Sequence, residues 1–365
     1  MSSSLTLSSS DLSTTPLDRL LNLVRGAASV TLHLDQPLHL DAVRVAMIVA
    51  TISQGNRSLS ITFPGGHPQA SVIASLHHSL LSPVIWGADP PSPYSMTTKS
   101  ILPSSRIVTD PATKTICVHT SRLPLNSRES FQAAFERLCR AASILVPGSV
   151  YGAVATIAFE TTSNAEEYGA FALAEAESPV ALRYLIARLH DKPPLALSSS
   201  AALYLESYLK SGHSPSTRWL ELLVVDAGVG ISYPSYYVFA SNKNWPKTDV
   251  FEEPFDVERA RMQLVLNTGE STKGRWGRIV NAETARGEGT LFIRIRLSAV
   301  RGYLALHSGR GRAEWWHAQV RREPSDIAAF PPYEVTEDMS SPFRGTVWHV
   351  LVPLDAQLTL PLDHG

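Results

Sequence analysis

Asp226-Ala227-Gly228-Val229-Gly230 follows the apolar run Leu222 to Val225. A carboxylate at the end of a buried strand is a fixed hydrogen-bond acceptor, and glycines one residue apart let a ligand approach the backbone. A strand that merely runs into a turn would use the same residue types. Upstream, "YGAVATIAFETTSNAEEYGAFAL" (151–173) has the alanine content and apolar spacing of a helix, which sets Glu160 and Asn164 one turn apart on the same face. Asn164 could offer an amide oxygen to Mg2+ and Glu160 could position or deprotonate a water, although one such pair also suits a solvated helix face. Downstream, "LVLNTGESTKG" (264–274) sets Ser271, Thr272 and Lys273 in a polar loop, and "ARGEGTLFIRIRLSAVRGYLALHSG" (285–309) opens with Gly287 and Gly289. A glycine turn leading into a helix can hold phosphates through backbone N–H groups. Gly345-Thr346 precedes the alternating strand "VWHVLVPL".

Each piece is common; their order is informative. Glu160-x-x-x-Asn164, with Tyr168-Gly169 after it, then Asp226-x-Gly228-x-Gly230, Gly287-x-Gly289 and Gly345-Thr346 before a strand resembles the GHKL ATPases: gyrase B, heat-shock chaperone ATPases, histidine kinases and MutL. The resemblance spans roughly residues 126 to 365. It implies a Bergerat-type α/β sandwich, a mixed sheet with helices on one face, that holds ATP between the helices and a flexible lid. In that family's terms Asp226 would accept from the adenine amino group, with Gly228 and Gly230 letting the base lie against the loop. Thr346 would support Asp226, Asn164 would bind Mg2+, and Glu160 would activate water. Gly287 and Gly289 would form the lid turn, and Lys273 could reach a phosphate. Tyr168 stands where many members have His, which changes a contact near the Asn helix without removing the metal ligand. The long stretch between Gly169 and Asp226 suggests an insertion, about 170–217, that could form a partner surface.

These groups need elements to position them. Residues 1–20, rich in Ser and Thr, read as a disordered leader. "ASVTLHL" (28–34) alternates as a strand, "LDAVRVAMIVATIS" (40–53) has helix-compatible spacing, and "SLSITF" (58–63) followed by "QASVIASLHHSLL" (69–81) repeats the pair. This βαβα order predicts a small α/β domain over 21–125, with an element order loosely similar to STAS domains. "TICVHT" (115–120) is predicted as a strand. "LNSRESFQAAFERLCRAASIL" (125–145) is predicted as a helix capped by Asn126 or Ser127. The segment 291–299 is ambiguous: Leu291, Ile293, Ile295 and Leu297 alternate as in a strand, while Leu291, Ile295 and Ala299 share a helical face. The family resemblance implies a helix there.

Composition narrows the rest. With 365 residues and 44% apolar content the chain can bury a substantial core, and a net charge of -1 offers no global field for nucleic acid or anionic membrane. Cys117 and Cys139 supply neither a disulfide framework nor a zinc site, which fits a reducing cytoplasm. There is no P-loop, H-E-x-x-H or C-x-x-C. Trp315 and Trp316 beside Arg310 and Arg312 could stack on nucleic acid, but a turn before a half-buried hairpin strand accounts for them better. No histidine lies in 125–150, which lowers the histidine-kinase reading. The expectation is therefore Mg-dependent ATP binding with slow hydrolysis, by a conformational switch in a bacterial regulatory or defence system. It would act with a protein partner through the N-terminal domain or the insertion, and a homodimer is compatible. The alternatives are a serine kinase of the anti-sigma type and a non-catalytic nucleotide-sensing module.

Overall fold

The computed structural model describes residues 3–37, 41–54, 57–63, 107–169, 182–194, 199–210, 218–228, 230–231, 254–267, 289–316 and 332–354. In chain order the strands and helices are β1 (Ser4–Ser8), α1 (Ser9–Thr14), α2 (Leu17–Gly26), β2 (Ser29–His33), α3 (Ala42–Gln54), β3 (Ser58–Thr62), β4 (Ile107–Asp110), β5 (Thr115–His119), α4 (Arg128–Ala141), α5 (Gly148–Gly169) and β6 (Arg183–His190). They continue with α6 (Ser199–Lys210), β7 (Trp219–Asp226), α7 (Phe255–Asn267), α8 (Gly289–Ala299), β8 (Tyr303–Gly309), β9 (Gly311–Trp316), β10 (Glu334–Glu337) and β11 (Phe343–Pro353). The chain is α/β, as expected. A parallel sheet in the order β1-β2-β3 accompanies an eight-stranded sheet in the order β10-β9-β8-β11-β7-β6-β5-β4.

Four expectations are corrected. The leader is not structureless: Ser4–Ser8 pairs in parallel with Ser29–His33, and a Ser8–Asp11 capping box starts α1. The second sheet begins before residue 126, because β4 and β5 pair onto β6 rather than onto the small sheet. That sheet is antiparallel throughout, not mixed, and helices cover both of its faces. The expected insertion 170–217 contains β6, a full-length partner of β7, so the described addition between those strands is α6.

Alternation along the strands explains the two layers. Leu220, Leu222 and Val224 of β7, Leu185 and Ala187 of β6, and Trp348 and Val350 of β11 face one side, where they pack with α4, α5, α7 and α8. The opposite side carries Leu223, Val225, Ile186 and Val347 against α3, and Trp219, Tyr303 and Leu351 against Tyr204 and Tyr208 of α6. Helix α3 is apolar around its whole circumference, and a helix of that kind is stable only when enclosed. It lies between the small sheet and the back of the large one, with nearly every residue from Ala42 to Ile52 buried. Its one internal charge, Arg44, donates to the carbonyls of Leu12 and Thr15 at the end of α1. Of the two candidate caps, Asn126 and Ser127, it is Ser127 that caps α4, accepting from the Ser130 N–H at 3.0 Å.

The segment 289–299 is helical. Its alternating pattern arises because α8 is wedged between α5, α7 and Tyr333, so Ile293, Arg294, Leu297 and Ser298 are all buried and no single apolar stripe marks the helix. Hairpin β8–β9 buries Trp315 completely and stacks Trp316 on Tyr303 at 5.9 Å, which occupies both tryptophans in packing. No helix among the described residues is long and apolar enough to cross a membrane.

Candidate functional site

At one end of the large sheet, four side chains line up across four neighbouring strands. Arg183 of β6 stands opposite Asp226 of β7, Asp226 opposite Thr346 of β11, and Thr346 opposite Ser308 of β8. Each has the strand parity of the row that packs beneath α5, so all four belong to the same face as that helix. This row is built by register, and only Asp226 and Thr346 of its members were expected from the sequence.

Asp226 is 1% exposed. Burial raises its carboxyl to about 7, against the opposing effects of the Gly228 N–H, the Thr346 hydroxyl, the Arg183 charge and the Thr346 backbone. The Gly228 N–H donates to Oδ1 at 3.0 Å, so the turn folds back on the carboxylate. An acceptor held this way is costly to bury and has capacity for a further donor.

The glycines close the floor. Gly230 has φ +83°, and a Cβ there would lie 2.7 Å from the Ser308 hydroxyl, which accepts from the Ile231 N–H at 2.9 Å and donates to the Gly345 carbonyl at 3.0 Å. Gly345 has φ +124° at the bulge between Phe343 and Thr346, and a Cβ there would overlap the Asp226 carbonyl oxygen. Ser308 thus ties the Asp226 turn to the Gly345 bulge. Its signal in the sequence was only its even parity with Leu304 and Leu306.

Above the row, α5 carries Glu160 and Asn164. Glu160 is 8% exposed; its Oε1 accepts from Arg128 Nη2 of α4 at 2.7 Å. A Cβ on Gly289 would lie 2.7 Å from Glu160 Oε2, so the first residue of α8 abuts the carboxylate. Arg128 is held over the rings of Phe159 and Phe292, at 5.8 and 5.4 Å from their centroids. The structure therefore brings Glu160 and Gly289 together and adds Arg128, which had no motif to mark it. Asn164 is half-buried one turn further along, and its side-chain amide makes no hydrogen bond to another described residue. Lys273, Gly287, Ser271 and Thr272 lie outside the described residues.

Among the described residues no group of three or more His, Cys, Asp or Glu could hold a metal ion. A site with one amide oxygen fits Mg2+ carried in by a phosphate ligand, since that ion keeps several water and phosphate oxygens and takes few from protein. Asn164 would hold it, and the ion would offset phosphate charge.

A second polar group lies on the opposite sheet face and belongs to the framework. Glu221, the charge in the middle of the run "WLELLVVD", accepts from His190 Nε2 and His349 Nε2, each at 2.8 Å. Burial acts to raise its carboxyl, but the two imidazoles outweigh that and hold it well below the usual carboxylate range. An acid in the middle of a fully buried apolar strand was the available signal for such partners. Both cysteines are buried, and burial pushes the Cys139 thiol up to about 12.

Set against known proteins, the chain matches no family model, no curated protein and no solved structure.

Proposed function

We propose that the Asp226 end of the sheet binds the adenine of ATP and that the chain is a Mg-dependent ATPase of GHKL type, with slow turnover. The observation that carries this reading is the buried Asp226 paired with Thr346 and fronted by a glycine turn, on the same sheet face as the helix bearing Glu160 and Asn164. A strand that only ends in a turn has no use for a desolvated carboxylate. An exocyclic amino group would satisfy it and would favour adenine over guanine, whose carbonyl at the equivalent position would face an acceptor.

Chemically, Asp226 accepts from the base amino group. Glu160, oriented by Arg128, takes or directs a proton of the attacking water. Gly289 brings the start of α8 against the same carboxylate. The Arg128–Glu160 ion pair favours a second reading, a nucleotide-sensing module with negligible hydrolysis, because the guanidinium occupies Oε1, an oxygen that an attacking water would otherwise use. We place either activity in a cytoplasmic, multi-protein bacterial setting.

Calorimetric titration with Mg-ATP and Mg-GTP, repeated on Asp226→Asn, tests the reading. ATP binding that exceeds GTP binding and disappears in the variant supports it; a folded wild-type protein that binds neither nucleotide rejects it. Turnover by the wild-type protein then separates the ATPase from the sensing module.

A further inference from the structure

A groove of about 540 Å³ lies between the small parallel domain and the strand that carries Thr346. Its walls include Asn22, Arg25, Gln54, Arg57, Ser341 and Arg344, and among the described residues no carboxylate lines it. The arginines come from the end of α2, the start of β3 and the start of β11, segments far apart in sequence. Their convergence is unfavourable in itself. Burial, followed by the charges of Arg344 and Arg57, depresses the Arg25 guanidinium below its ordinary value.

Packing explains part of this arrangement. Arg57 donates to the carbonyls of Ala27, Thr51 and Arg25, and Arg25 donates to Asn22, Ser341 and the carbonyl of Pro342. All of these acceptors are neutral, so the bonds fix the guanidiniums in place and leave their charge uncompensated. Arg344 is exposed at the rim of the same groove. The neutral lining, the amides of Asn22 and Gln54 and the hydroxyl of Ser341, offers donors and acceptors suited to a small polar body. A volume of this size matches a metabolite-sized ligand and far exceeds a single inorganic ion.

We propose that this groove binds a phosphorylated small molecule, with its phosphate gripped by Arg25, Arg57 and Arg344. Guanidinium forks match phosphate oxygens in pairs, and a phosphate dianion relieves more repulsion among three cations than a single carboxylate would. The site is independent of the nucleotide reading, because it lies on the small-domain side of the Asp226 turn. The two are nonetheless in touch: Gln54 donates to the carbonyls of Ala227 (3.0 Å) and Arg344.

Calorimetry of the full chain with inorganic pyrophosphate, and with citrate as a polycarboxylate of similar charge, tests the proposal. Wild-type protein is expected to bind pyrophosphate with a Kd below about 1 mM at physiological salt, and citrate roughly tenfold more weakly. Arg344→Glu, a change at an exposed position, should weaken pyrophosphate binding by roughly tenfold or more while the thermal melt stays cooperative. Arg140→Glu, a charge reversal at an exposed arginine of α4, and Asp226→Asn should leave pyrophosphate binding unchanged. Absence of binding by folded wild-type protein, equal binding by Arg344→Glu, or citrate binding as tightly as pyrophosphate would each overturn the assignment.

Discussion

Thr346 stands directly across the β7–β11 pair from Asp226, and its hydroxyl acts to favour the ionised Asp226 carboxylate. One strand supplies the acid and its neighbour the group that steadies it, so the position of the carboxylate is set by sheet register rather than by the flexibility of the turn. Burial nevertheless dominates and leaves the acid titrating near 7.

The sign of the resulting pH dependence follows directly. An acid whose folded value is raised from 3.8 to about 7 contributes stability that is fully present below the unfolded value and is lost as pH rises through 7. Asp226→Asn should therefore be more stable than wild type at pH 8, by roughly 2 kcal/mol, with the difference gone near pH 4. Thermal melts at the two pH values check this. An unchanged difference between them would mean that Asp226 is not desolvated as described.

Nucleotide binding, on the proposed reading, runs the other way. The ionised carboxylate is the acceptor, so ATP affinity should weaken as pH falls below 7, approaching about tenfold per unit. Titrations at pH 6 and pH 8 measure it. Equal affinity at both would remove Asp226 from base recognition.

Gly345→Ala should be severe. The residue sits at φ +124° against the Asp226 carbonyl, and an added methyl must displace either β7 or the bulge. Destabilisation of more than about 2 kcal/mol is expected from denaturant unfolding. A neutral outcome would show that the bulge is free to relax.

Glu160→Ala separates chemistry from binding. ATP affinity should stay within about twofold of wild type while turnover falls at least ~100-fold. Arg128→Met should also lower kcat and leave KM close to wild type, because the guanidinium reaches Glu160 and makes its contacts through that side chain and the two phenyl rings. Full turnover in the Glu160 variant would strip it of the assigned role.

On the other face, Glu221→Gln should cost about 3 kcal/mol, since it removes the charge that two buried imidazoles face. Glu221 is an acid with a depressed folded value, so its contribution is fully present above the unfolded carboxylate pKa and is lost progressively as pH falls from there through the much lower folded value. Urea unfolding at pH 7 and pH 3.5 should show a smaller wild-type advantage at the lower pH, with part of it still present there.

What the sequence determined by itself was local. The apolar spacing of 151–173 placed Glu160 and Asn164 on a helix, the run before Asp226 set that carboxylate at a strand end, and the pair Asn126-Ser127 marked the start of α4. Periods of two and 3.6 residues are written along the chain, because each element must present its own apolar side to something. Tertiary structure alone decided what those sides met. The row from Arg183 through Asp226 and Thr346 to Ser308 depends on the mutual register of strands far apart in sequence, and no local pattern encodes it. Enclosure of α3 and the wedging of α8 erased the one-sided stripe on which helix reading relies. The convergence of Arg25, Arg57 and Arg344 likewise exists only after the small domain packs against β11, because charge tolerance at a groove is a property of the assembled surface and leaves no spacing in the chain.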